Sequence, residues 1–184
     1  MKTLVIHPKD PTTDFLIEIY RGKDWTLINT KTSEEFLREQ IIMHDRIVML
    51  GHGSESGLYG FGEMTINSSC VDLLIDKYCV CIWCNADLFV QEHGLKGFYT
   101  GMIISETLEA WVCDVPADSN TINESNISFA SAIKHAIDDE NMLEKAKSLY
   151  AGNSEVVQYN RNNLYYNADA EYLSKMSTSV DELF

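Results

Sequence analysis

A histidine and a cysteine each stand where an apolar run gives out. In RIVMLGHGSESGLYGF, residues 46–61, His52 sits between Gly51 and Gly53 directly after the run. In YCVCIWCNAD, residues 78–87, Cys84 ends the run just before the polar Asn85. A thiol and an imidazole are what acyl transfer needs: the imidazole takes the proton, and the thiolate attacks. A free thiol ionises only near pH 8.5, so it needs such a partner at neutral pH. Neighbouring parallel strands lie about 4.8 Å apart, so two strand ends on one sheet edge bring the pair within reach. Alone, His52 suits a turn, and Cys84 resembles the small buried hydrophobes Cys79 and Cys81. Together they make a candidate site.

The other reactive side chains carry weaker signals. His93 beside Gly94 suits the last turn of a helix. A metal site from Cys79, Cys81, Cys84 and His93 is disfavoured, because a strand sets Cys84 on the face opposite Cys79 and Cys81. No metal and no cofactor is expected. GHGSESG has neither the lysine of a phosphate-binding loop nor the glycine spacing of a dinucleotide site. His7, His44 and His135 show no chemistry. The five cysteines are expected to be reduced thiols.

The elements that must position the pair alternate. Apolar, β-branched runs at 3–7, 25–29, 46–51, 78–83 and 97–104 predict strands, and those at 46–51 and 78–83 suit burial on both faces of a parallel sheet. Between them, helical signals fall at 12–21, 32–44, 67–78 and 86–94. Thr12 or Thr13 caps the first of these. Ser33 caps the second, where Phe36, Leu37, Ile41 and Ile42 keep helical spacing; Gly94 closes the fourth. This rhythm predicts an α/β fold: three α/β/α layers around a mostly parallel sheet, in a single domain over 1–184. Its core spans about 1–113. An extension over about 114–184 carries a helix at 127–152, with an Ile127, Ala130, Ile133, Ile137 and Leu143 stripe, and an Asn-rich, aromatic tail from 160.

Composition excludes several classes. The 184 residues are 45% hydrophobic, enough for a core without disulfides or metal. No charge-poor apolar run approaches the roughly 20 residues that span a bilayer, and the N-terminus lacks a secretory h-region, so the expected compartment is the cytoplasm. A net charge of −14 repels nucleic acid and anionic membranes. A peptide or protein substrate is the expected partner, with no nucleic acid and no membrane.

With these motifs in hand, the chain resembles the caspase-like cysteine peptidases, the group of caspases, metacaspases, clostripain, gingipains and separase. In that family a His-Gly pair ends one strand and the cysteine ends the next strand of the sheet. VMLGHGSESGLYG resembles the segment around that histidine, and CVCIWCNAD the strand that delivers the cysteine. The resemblance covers roughly residues 1–106. It implies a caspase-like fold, His52 as general base and Cys84 as nucleophile. The backbone N–H groups of Gly53 and Cys84 would meet the oxyanion, with Gly53 leaving room for the substrate carbonyl. It departs in CNAD, where many relatives carry a glycine, in a short interval from His52 to Cys84, and in a last third without evident small-subunit strands.

The strand after the cysteine ends, in such enzymes, beside the pocket for the residue preceding the scissile bond. Here Ser105 and Glu106 follow that strand, and Asp87 follows the nucleophile. Acidic residues there imply cleavage after Arg or Lys; Glu106 also suits the cap of the next helix. Two alternatives stay open: a catalytically inactive caspase-like binding or regulatory module, and a flavodoxin-like domain that binds a small molecule at its switch point.

Overall fold

The computed structural model describes residues 1–168. In chain order the elements are β1 (Thr3–Ile6), α1 (Ile17–Tyr20), β2 (Thr26–Ile28), α2 (Glu34–Met43), β3 (Arg46–Leu50), β4 (Gly53–Ser54), β5 (Gly57–Gly60) and β6 (Glu63–Ile66). They continue with α3 (Val71–Leu74), β7 (Tyr78–Ile82), α4 (Ala86–His93), β8 (Lys96–Thr100), α5 (Thr107–Val112), α6 (Ser119–Ala136), α7 (Met142–Leu149), α8 (Glu155–Asn162) and β9 (Leu164–Asn167). No helix among the described residues is long and apolar enough to cross a membrane.

The main sheet runs β2-β1-β3-β7-β8-β9. Its first five strands are parallel, and β9 pairs antiparallel with β8. The continuous apolar run of β3 has the expected cause, since all five of its residues are buried. Alternation then sorts side chains into two layers. Val5, Val48, Leu50, Val80, Ile82 and Phe98 face α1, α6 and α7, while Leu4, Ile6, Ile47, Met49, Cys79, Cys81 and Trp83 face α2, α3 and α4. Helices on both faces of a mostly parallel sheet give the predicted α/β/α architecture.

Several elements differ from the sequence reading. The helix expected at 12–21 is a 3-10 turn over Pro11–Leu16 followed by α1, and its cap is Asp10, whose side chain accepts from the Thr12 N–H. The strand expected to reach 104 ends at Thr100; Gly101 makes one further bond to the Asn163 carbonyl and accepts from the Asn85 N–H, and the chain then leaves the sheet toward α5. The helix expected at 127–152 is two: α6 starts earlier, capped by Asp118, and the chain breaks before α7. Ile127, read as part of the buried stripe, is exposed, because the true stripe runs through Ile122, Phe129, Ala130 and Ile133. Residues 53–66 carry no strand in the sequence reading, yet they form the antiparallel sheet β4-β5-β6.

The extension is not an appendage. α6 lies against α1 and the sheet, and β9, drawn from the expected polar tail, completes the sheet edge. The rest of that tail lies outside the described residues. Ser33 caps α2 as expected, accepting from the Phe36 N–H at 3.2 Å, and Gly94 ends α4 with φ +63°. Within α2, Leu37 and Ile41 are buried, while Phe36 and Ile42 face outward.

Candidate active site

β3 and β7 are neighbours in register, and Leu50 pairs with Ile82 as their last matched residues. His52 lies two residues past Leu50, and Cys84 two past Ile82. The two candidate groups therefore leave adjacent parallel strands at the same level, on the C-terminal edge of the sheet. The Gly51 N–H donates to the Ile82 carbonyl at 3.1 Å, holding the strands together up to that point. Beyond it the side chains lean apart.

His52 turns toward the end of β1. Thr12 donates its hydroxyl hydrogen to Asp10 Oδ1 at 2.7 Å, and its oxygen lies 2.6 Å from His52 Nε2. With the hydroxyl hydrogen committed to Asp10, Nε2 is the donor to Thr12 and Nδ1 is the basic nitrogen. The two hydrogen bonds from Thr12, with smaller help from the nearby His52 and His7, hold the Asp10 carboxyl below its ordinary range. His52 also lines a cleft of about 300 Å³ with Pro8, Lys9, Asp10, Tyr59 and Glu63.

Cys84 turns toward the end of β8. Its Sγ–H points to Glu109 Oε1 at 3.4 Å and to the Ile103 carbonyl at 3.7 Å. Burial, then the Glu109 carboxylate, push this thiol up to about 12. No hydrogen bond among the described residues joins Cys84 to His52. Cys81 and Cys84 have the Cys-x-x-Cys spacing but serve opposite layers, Cys81 packing under α2–α4 and Cys84 against the α6 side. All five cysteines are unpaired thiols, and no group of three metal-ligating side chains occurs among the described residues.

The turn after Cys84 is sharp. Asn85 adopts a left-handed conformation at φ +64°, donates its N–H to the Gly101 carbonyl, and starts α4. Gly53 is required for a reason other than substrate access. A Cβ there would sit 2.1 Å from the Trp83 ring and 2.5 Å from the Gly57 carbonyl oxygen. The Trp83 indole N–H also donates to the Ser54 carbonyl at 3.0 Å, so the small sheet that follows His52 is pinned to the strand that carries Cys84.

Of the expected substrate residues, Ser105 and Glu106 lie on the Cys84 side and Asp87 does not. Glu106 is the N-cap of α5 and forms a capping box with Glu109, whose Oε2 accepts from the Glu106 N–H at 3.0 Å. Ser105 donates to the same oxygen through its N–H at 2.6 Å and its hydroxyl at 2.9 Å. Asp87, in the first turn of α4, lies by the stacked Tyr99 and Tyr165 rings of the other layer. Burial and then this carboxylate raise the Tyr165 phenol; Oδ1 of Asp87 is buried with no hydrogen-bond partner among the described residues.

Sequence reasoning missed Asp10, Thr12, Glu109, Asn126 and Asn160. Asn160 makes a two-sided pairing with Ile104, accepting from its N–H at 2.7 Å and donating to its carbonyl at 2.9 Å, and Asn126 donates to the Ser105 carbonyl at 2.9 Å. These amides fix the segment that delivers Glu109. The one available signal was the Ser-Glu-x-x-Glu spacing at 105–109, a capping pattern rather than a catalytic one. Comparison with protein-family models, with curated proteins and with solved structures finds no match.

Proposed function

We propose that the chain is a caspase-like cysteine peptidase, with Cys84 as nucleophile, His52 as general base and a preference for Arg or Lys before the cut. The observation that supports this reading is the matched offset of the two residues beyond the Leu50–Ile82 pair of neighbouring parallel strands. In the reaction, Nδ1 of His52 takes the thiol proton as sulfur attacks the peptide carbonyl carbon. The tetrahedral oxyanion collapses, the imidazolium protonates the departing amine, and water then hydrolyses the thioester. For this, Cys84 must turn from Glu109 toward His52. An acidic neighbourhood at Glu106 and Glu109 and the overall charge of −14 favour cationic peptides.

A specific observation favours a second reading, an inactive module of the same fold: the Cys84 thiol is raised to about 12 and donates to a carboxylate. Fluorogenic peptides that differ only in the residue before the scissile bond separate the two. The peptidase reading expects Arg and Lys substrates to exceed the Asp substrate. Turnover of the Asp peptide above both would overturn the assignment of the pocket, and no turnover of any peptide would favour the inactive module.

A further inference from the structure

Glu109 is not a loose surface carboxylate. Its Oε2 is occupied by three donors, the Ser105 N–H, the Ser105 hydroxyl and the Glu106 N–H. The segment that supplies them is itself held by Asn160 and Asn126. Oε1 is left facing Cys84 Sγ at 3.4 Å. The other close partner of the sulfur, the Ile103 carbonyl, is also an acceptor. The carboxylate offers no hydrogen to a thiolate, so the Glu109 contact is made only by the protonated form, whereas the backbone bond at Ile103 works the other way and favours the thiolate.

We propose that Glu109 is a positioning residue that holds Cys84 as a thiol, so that the sulfur ionises more readily once the carboxylate is removed from it. What the sulfur is for rests on the peptidase reading; the restraint itself does not. Among the described residues, the remaining titratable groups that face the sulfur are Cys113 at the end of α5 and Tyr159 on α8, and neither supplies a cation to stabilise a thiolate. The upward shift of the thiol agrees with this arrangement.

The test is the pH dependence of iodoacetamide alkylation at Cys84, read by peptide mass spectrometry on the full chain and on Glu109→Gln. Glutamine keeps an oxygen for the donors at Ser105 and Glu106, so the capping box survives. The expected result is a midpoint moved to lower pH and a rate near pH 8 raised about tenfold or more, a change of at least one pKa unit. An unchanged midpoint overturns the proposal, leaving burial alone as the restraint. An equal rise in alkylation of Cys113 also overturns it, since that reports local opening of α5. Should Glu109→Gln fail to fold, Ser105→Ala, which removes one of the three donors that offset the Glu109 charge, is expected to move the midpoint to higher pH by a smaller step, and no movement overturns the proposal. Peptide turnover is measured separately: its absence beside a shifted midpoint rejects the peptidase reading and keeps the restraint.

Discussion

Cys84 and His52 are each engaged by a neighbour that sequence spacing does not reveal. The pair itself was legible because two nearly continuous apolar runs stop at a reactive side chain, and burial on both faces explains why those runs are apolar. Glu109 was not legible, because it reaches Cys84 only through the path of the chain after β8. Thr12 is likewise a turn residue in sequence and a ring-orienting residue in space. Thr12→Val removes the hydroxyl that links Asp10 to the imidazole. It is expected to lower kcat about 10- to 100-fold through misorientation of His52, with KM little changed. A kcat equal to that of the parent chain would mean that His52 needs no such support.

At the level of elements, strands and helices with long periodic patterns were readable, and short ones were not. β4, β5 and β6 span only two to four residues each, and β4 and β5 are rich in glycine, so they show too little alternation to be recognised. The start of α6 was hidden because its first turns are Ser-, Asn- and Thr-rich, and its buried face there includes Ser125 and Asn126. The end of β1 carries a titration that the sequence does not announce. His7 is buried between Tyr20 and Thr13, at 3.1 and 3.2 Å, and burial lowers its pKa from 6.5 to about 4. Between these two values the unfolded chain binds the proton and the folded chain does not, so stability rises with pH across that window. Acidification through it is expected to remove up to about 3 kcal/mol at this one site. His7→Gln flattens that slope in urea unfolding midpoints taken across the same range; an identical slope in parent and variant would place the titration elsewhere.

For the whole molecule, the α/β/α class followed from alternation of element types, because a parallel sheet must bury both faces under helices. The closure of the sheet by β9 did not follow. Leu164–Asn167 is a four-residue edge strand whose polar, aromatic sequence resembles a tail until it is paired with β8. The charge of −14 acts at this scale as well, since it belongs to the chain as a whole. For a substrate bearing Arg or Lys, kcat/KM is expected to fall severalfold as salt shortens the screening length from about 30 Å to about 8 Å. A neutral peptide should change far less; an equal response of the two would remove electrostatic steering from the account.

Whether the two strand ends form one catalytic unit is read from turnover of an Arg peptide in Cys84→Ala, His52→Ala and the double variant, each in the parent and Glu109→Gln chains. Either single change is expected to abolish turnover while leaving the fold intact, and the double variant to be no worse than either single one, because the residues act as a unit. Turnover that survives in Cys84→Ala, or is missing from both the parent and the Glu109→Gln chain, would contradict such a unit.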